Sequence, residues 1–408
     1  MSTSIIAQLP DVPRAAEARL PVLPEGVRTD EMPGERPLRF GQARRMVIKI
    51  GSAVLRDGPD FDRVTFAALV RDIVGLRRGG VEVVVVCSGA VALGLARLGE
   101  RNRPQDLARL QATAAIGQGA LIRLWNDELG HYGLMAGQVL LTHEDLQGRH
   151  RFLNARHTLR ALLELGAVPV INENDTIATE EIKLGDNDLL SSVVVGLTEA
   201  DLLVILSDVD GLYDRDPSEP GARRVTWVPR IDARLLALAG GSRSGLGSGG
   251  MQTKIQSIAQ INRLGVAGII ARGKTPAVLQ RLAAGERLGT WFAAEDTSIG
   301  SRKHWIAYAH KSEGRVYVDA GAVRALEQRG GSLLPIGVVR VEGEFGEGAL
   351  VEVVAPEGRV FARGLVSYDA ETIAGALGVR SADAGGLDPS RPVVIHRDDL
   401  VLLPLAPV

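Results

Sequence analysis

Val81–Cys87 is apolar at almost every consecutive position, and a strand with two apolar faces is stable only inside a sheet that helices cover on both sides. Five further short apolar runs share this character: Met46–Ile50, Leu134–Leu141, Val168–Asn172, Asp201–Ser207 and Val266–Ala271. Between the first two, Phe66, Leu69, Val70, Ile73, Val74 and Arg77 keep the i, i+3, i+4, i+7 spacing of a helix with one buried face. Helices are also expected over Phe152–Leu165 and Leu189–Leu197. Strands alternating with helices pair in parallel, so the expected fold is α/β, a three-layer αβα sandwich around a mainly parallel sheet. In such sheets ligands sit beyond the carboxyl ends of the strands. Four of these ends are polar: Lys49-Ile-Gly51-Ser52, Ser88-Gly89-Ala90, Asn172-Glu-Asn-Asp175 and Ser207-Asp208. One polar ending is an ordinary helix cap, whereas four point to a shared site.

Other classes of protein are excluded by composition and patterning. No stretch approaches the ~18 consecutive apolar residues of a membrane helix. Lys and Arg number 47 against 49 Asp and Glu, a net charge of −2, so no general basic field exists to hold nucleic acid or an acidic membrane surface. The single cysteine, Cys87, allows no intrachain disulfide, and a reducing cytoplasm is the expected compartment. Residues 1–43 hold six prolines and mixed charge without periodicity, which predicts a flexible N-terminal tail. The acids spread through it oppose a mitochondrial presequence, and it has no apolar core for a secretory signal.

Three segments could carry chemistry. Gly245-Leu-Gly-Ser-Gly-Gly-Met-Gln-Thr-Lys254 leads into a helix expected over Lys254–Leu264. Glycines admit an anion close to backbone N–H groups, a helix start adds its positive end and a lysine adds a full charge, the makings of a phosphate cradle. Glycines at 245, 247 and 250 also fit the dinucleotide fingerprint, but they do not follow the first strand and lack the acidic strand end farther on. The bland alternative is a glycine linker. In the second segment, Asn172, Asn174, Asp175, Asp186, Asn187 and Asp188 offer hydrogen bonds suited to a zwitterion or hydrated Mg²⁺. Caps and turns would use the same residues. In the third, Ser207-Asp-Val-Asp-Gly-Leu-Tyr213, an acid at a strand end can orient a lysine or bind Mg²⁺. Asp208-x-Asp210-Gly211 resembles part of a calcium loop, but Pro217 breaks the pattern. No spacing of the seven histidines suggests a metal centre, and no residue is assigned as a metal ligand. His396-Arg-Asp-Asp-Leu400 imitates a protein-kinase catalytic loop without its other motifs and is expected to be a charged turn.

Taken in order, Ile48-Lys49-Ile-Gly-Ser52, Ser88-Gly-Ala90, Ile171-Asn-Glu-Asn-Asp175, Gly185-Asp-Asn-Asp188, Ser207-Asp-Val-Asp-Gly-Leu-Tyr213 and Gly249-Gly-Met-Gln-Thr-Lys254 resemble the amino-acid kinase family, in its glutamate 5-kinase branch. The resemblance implies ATP-dependent phosphorylation of the γ-carboxylate of L-glutamate to L-glutamyl 5-phosphate, the first step of proline biosynthesis. It implies that Lys49, Ser207, Asp208 and the loop Ser248, Gly249, Gly250, Met251, Gln252, Thr253 and Lys254 contact ATP, and that Ser88, Asp175 and Asn187 hold glutamate. Lys49, Lys254 and Asp208 are then the catalytic set, with Asp208 also positioning a lysine and Asp186 or Asp188 serving substrate or Mg²⁺. Proline as feedback inhibitor and a homo-oligomer are implied as well. Ser248 and Ser207 stand where this family commonly has Thr, and both keep a hydroxyl.

The expected division is a tail over 1–43, a kinase domain over 44–300, a linker over 301–312, a small β-rich module over 313–395 and a terminal segment over 396–408. The module is read from Arg315–Asp319, Gly337–Glu342, Leu350–Val354 and Phe361–Val366, and it resembles a PUA domain, whose role here the residues leave open. PUA modules elsewhere bind RNA. Here residues 312–408 hold nine Arg, no Lys and 14 Asp and Glu, which opposes RNA as a partner because phosphate contact needs basic clusters. Other kinases of the same fold, acting on aspartate, acetylglutamate or a nucleoside monophosphate, are the remaining alternative. A nucleotide acceptor would call for Arg or Lys where Asn and Asp stand.

Overall fold

The apolar runs pair as parallel strands. The computed structural model describes residues 23–29, 40–58, 60–142, 145–146, 149–178, 186–240, 250–294, 312–377 and 393–403. In chain order the main sheet comprises β1 (Arg45–Ile50), β2 (Glu82–Cys87), β3 (Ala136–Leu141), β4 (Val168–Glu173), β5 (Leu202–Ser207), β6 (Trp227–Val228), β7 (Ala267–Arg272) and β8 (Thr290–Phe292). Their spatial order is β3-β4-β2-β1-β5-β7-β8-β6. Only the β7–β8 pairing is antiparallel. The six predicted runs match β1, β2, β3, β4, β5 and β7 to within two residues at either end.

The first helix, α1 (Arg63–Arg78), starts where Asp62 accepts a hydrogen bond from the Thr65 amide at 2.9 Å. It buries Phe66, Leu69, Val70, Ile73 and Val74, as their spacing requires. Then come α2 (Ala90–Leu98), α3 (Leu107–Gly130), α4 (Arg149–Glu164), α5 (Asp186–Thr198), α6 (Ala233–Gly240), α7 (Met251–Asn262) and α8 (Val278–Ala283). Side chains on one strand alternate between faces, and β1 shows the result. Met46, Ile48 and Ile50 join Phe66 and Leu69 of α1 and Trp125 of α3 in one core, while Val47 joins Val194 of α5 and Ile255 and Ile258 of α7 in the other. Two cores on opposite faces of one sheet are the three layers expected.

Part of the expected tail is built into this domain. Phe40 and Ala43 are buried in the core. Arg28 pairs with the edge strand β6: its amide donates to the Trp227 carbonyl at 3.0 Å, and the Thr226 amide donates to the Arg28 carbonyl at 2.8 Å. Of the expected linker 301–312, only Ser312 lies among the described residues.

A second, five-stranded sheet contains β9 (Gly314–Val318), β10 (Val338–Glu342), β11 (Leu350–Val354), β12 (Val360–Val366) and β13 (Ile395–Leu402), in the order β10-β9-β11-β12-β13. Helices α9 (Ala320–Arg329) and α10 (Ala370–Gly375) complete it, capped by Asp319 and Asp369. The charged turn expected at His396–Leu400 is instead part of β13, so the sheet runs past residue 395 to Leu402. At the edge of this sheet, beside β12 and bridged to Leu333 only at Ile395 among the described residues, β13 can turn His396, Arg397 and Asp398 to solvent while Leu400 and Val401 stay buried.

Candidate active site

Lys49 lies two residues beyond Val47 on β1 and therefore projects to the face covered by α5 and α7. Both helices start there. Asp188 is in the first turn of α5, and Thr253 and Lys254 are in the first turn of α7, which begins three residues before the predicted start. The Lys49 Nζ lies 2.6 Å from Asp188 Oδ1, and the Lys254 Nζ lies 3.2 Å from Asp188 Oδ2. The Thr253 hydroxyl donates to that second oxygen at 2.8 Å. Lys49, Lys254 and Asp188 are only 5%, 6% and 1% exposed, so these are charges withdrawn from water. Two cations share one anion, and the trio carries a formal charge of +1.

Burial pushes the Asp188 carboxyl up, but the ammonium groups of Lys49 and Lys254, with hydrogen bonds from Lys49 and Thr253, hold it below the ordinary value of 3.8. Lys254 is held below its ordinary 10.5, chiefly by burial and further by the like charge of Lys49, against the opposing pull of Asp188 and Asp208. Such a pocket calls for an anion. Glycine at 51 keeps space for one, since a Cβ there would stand 3.7 Å from the Lys49 ammonium. At the start of α7, Gly250 supplies no side-chain cap, so the first-turn N–H groups stay available to a ligand.

The third segment divides. Ser207 is buried at the end of β5 and donates to Asp208 Oδ1 at 3.0 Å, while Asp208 itself is exposed. Asp208 was expected to position a lysine; the carboxylate in contact with both lysines is Asp188, and Asp208 acts on Lys254 from the exposed rim through its charge. Asp210 accepts from the Tyr213 hydroxyl at 2.7 Å, and Asp214 accepts from the Arg223 amide at 2.9 Å, so both hold the local loop together. Ser248, Gly249 and the side chain of Asp186 lie outside the described residues.

Beside the lysines, Asn187 Nδ2 donates to Ser88 Oγ at 2.7 Å and to Asn172 Oδ1 at 3.0 Å, uniting three sequence-predicted segments. Asp175 sits half-buried in the turn after β4. That turn is held from α3, where Gln111 donates to the Ala178 carbonyl at 2.9 Å. Gln118, two turns along the same helix, accepts from Asn172 Nδ2 at 2.8 Å. Sequence reasoning missed both glutamines, because nothing in the α3 pattern separates them from solvated polar positions. Cys87 is not a nucleophile: burial pushes its thiol up to about 12. Among the described residues no group of three or more His, Cys, Asp or Glu could hold a metal ion, and no helix is long and apolar enough to cross a membrane.

A profile of the amino acid kinase family matches residues 44–272, and one of the PUA domain matches residues 314–384. The glutamate 5-kinase of Thioalkalivibrio sulfidiphilus (strain HL-EbGR7) is 47% identical over 369 residues, covering 90% of this chain and 98% of that relative. The glutamate 5-kinase of Ectopseudomonas mendocina (strain ymp) is 48% identical over 368 residues, covering 88% of this chain and 98% of that relative. Among solved structures, the carbamate kinase from Giardia lamblia bound to AMP-PNP is similar with a TM-score of 0.44 and 18% identity, covering 62% of this chain and 100% of that one.

Proposed function

The chain belongs to the amino acid kinase family and carries a C-terminal PUA domain, and we propose that it transfers the γ-phosphoryl group of ATP to the γ-carboxylate of L-glutamate. The product is L-glutamyl 5-phosphate, for proline biosynthesis. The observation that carries this reading is the buried trio of Lys49, Asp188 and Lys254, two cations around one anion.

The acceptor carboxylate has an ordinary pKa of about 4.3 and is ionised at neutral pH, so no general base is required. The difficulty is bringing two anions together and neutralising a loose, metaphosphate-like transition state. As an acceptor oxygen bonds to the γ-phosphorus and the bond to ADP breaks, charge gathers on the oxygens between donor and acceptor. Lys49 and Lys254, held by Asp188, would meet that charge without moving. Lys49, Ser207, Asp208 and the segment Gly250, Met251, Gln252, Thr253 and Lys254 make the nucleotide side. Ser88, Asp175 and Asn187 make the acceptor side, where hydroxyl and amide groups suit an amino acid better than a second nucleotide. Mg²⁺ fits as a partner of the nucleotide: bound to the phosphates it supplies further charge neutralisation, and the exposed Asp208 carboxylate is the group that would hold it, since Asp188 is engaged by both lysines.

Hydroxylamine trapping tests the substrate across L-glutamate, L-aspartate, N-acetylglutamate and nucleoside monophosphates. Hydroxamate from L-glutamate alone is expected; phosphoryl transfer to one of the others in its place overturns the reading. The same reading takes proline as a feedback inhibitor, checked by adding it to that assay, and a homo-oligomer, checked by light scattering. A reducing cytoplasm suits the one buried free thiol.

A further inference from the structure

Gln118 does not touch the lysine cluster, yet it ends a hydrogen-bond chain that enters the acceptor side of the site. Its Oε1 accepts from Asn172 Nδ2 at 2.8 Å, Asn172 Oδ1 accepts from Asn187 Nδ2 at 3.0 Å, and Asn187 Nδ2 also donates to Ser88 Oγ at 2.7 Å. A carboxamide presents two donor hydrogens at one corner and an acceptor oxygen at the other, so the orientation of each amide dictates that of the next. With both Asn187 hydrogens committed, its Oδ1 is left over. That oxygen is buried and has no hydrogen-bond partner among the described residues. A Ser88 hydroxyl that accepts from Asn187 likewise keeps its own hydrogen to give away.

We propose that Gln118 is a positioning residue that sets the hydrogen-bond polarity of the acceptor pocket. By accepting from Asn172, it leaves the pocket with an acceptor, Asn187 Oδ1, that suits an ammonium group, and a donor, the Ser88 hydroxyl, that suits a carboxylate. Those are the two charged groups of an amino acid, so the inference rests on the reading of this site as one for L-glutamate. Reversed, the same chain would offer amide hydrogens to a cation.

Packing explains how Gln118 reaches so far. Helices α2 and α3 meet backbone to backbone: a Cβ on Gly117 would stand 1.7 Å from the Ala90 carbonyl oxygen, and one on Gly94 would stand 1.9 Å from the Thr113 carbonyl oxygen. Only glycine permits that approach, and it brings the next residue, Gln118, to the end of β4 where Asn172 is 2% exposed. Leaving the buried Asn172 amide without its partner costs the desolvation of that group.

Steady-state kinetics of the full-length chain, with melting curves, test the proposal in the wild type, Gln118→Leu and Gln118→Glu. Leucine removes the acceptor; glutamate keeps one that cannot donate. Gln118→Leu is expected to raise the KM for L-glutamate by about fivefold or more, with kcat and the KM for ATP changed less than about threefold. Gln118→Glu is expected to recover most of that loss. A smaller rise in Gln118→Leu, an equal rise in the KM for ATP, or a Gln118→Glu variant no better than Gln118→Leu overturns it. If Gln118→Leu does not fold, Gln118→Lys takes its place, as a side chain that can only donate. A wild-type chain that does not phosphorylate L-glutamate overturns the functional reading and this inference with it. An active wild type with an indifferent Gln118→Leu overturns this inference alone.

Discussion

The Lys49 ammonium lies 2.6 Å from the Asp188 carboxylate, and both groups are shut away from water. Lys254 holds the other oxygen of the same carboxylate. Asp188→Asn keeps the shape but leaves two buried like charges facing each other. Its kcat is expected to fall on the order of 10²–10³-fold, and its unfolding free energy by roughly 3–5 kcal/mol, the usual result of removing one partner from a buried ion pair. Urea unfolding run beside the kinetics checks both. A variant with wild-type turnover would show that the carboxylate does not organise the lysines.

Lys49→Ala and Lys254→Ala each remove one of the two cations while leaving Asp188 with a partner. Folding should survive in both, as circular dichroism would report, because each loss leaves a neutral pair in place of a +1 trio. Phosphoryl transfer should fall on the order of 10²–10³-fold or to background in each. Near-normal turnover in both variants would remove the mechanism.

Much of this site was legible in the sequence, for reasons that also explain what was not. Lys49, Ser88, Asn172 and Ser207 follow apolar runs, and a parallel sheet delivers the ends of such runs to one side of the molecule. Asp186, Asp188 and Asp208 looked equivalent as acids near those ends. What singles out Asp188 is its place in the first turn of α5, against both lysines, whereas Asp208 follows β5 and stands exposed. Strands β6 and β8 were invisible because two or three residues carry no periodicity. Strand β13 was hidden by its Arg397-Asp398-Asp399 run, which on an edge strand need not be apolar. Gln118 acts through backbone packing at Gly94 and Gly117, which no side-chain pattern announces.

The depressed Lys254 value has a sign that can be measured. Phosphate neutralisation needs the ammonium form, so kcat/KM for ATP should decline as pH rises through a value below the 10.5 of an ordinary lysine. Stability should move the other way. The unfolded chain holds this proton more tightly than the folded one, so stability rises with pH between the folded value and 10.5. Asp188 has the same sign at the acid end: its contribution is present above 3.8 and is lost as acidification passes through its lowered folded value. Kinetics and denaturant unfolding over one alkaline series should therefore show opposite slopes, and Lys254→Met should flatten the stability slope. Activity that holds level up to 10.5 would contradict the assignment.

Residues 23–29 offer the last test, because they cover an edge that would otherwise be open. Strand β6 ends the main sheet, and Arg28 takes up its exposed hydrogen-bonding groups at Trp227, with Val27 and Leu23 packed against the core beside it. Removing residues 1–39 deletes the Arg28 backbone bonds and uncovers Trp227, whose ring lies nearly parallel to Trp291 on β8. Each lost bond is worth about 1 kcal/mol, so a fall in melting temperature of roughly 4–8 °C is expected for a domain of this size. Three strands, β5, β7 and β8, separate β6 from β1, and kcat should therefore stay within about twofold while light scattering shows more self-association through the freed edge. A truncated chain that melts with the full-length protein would mean that the strap adds nothing to the edge it covers.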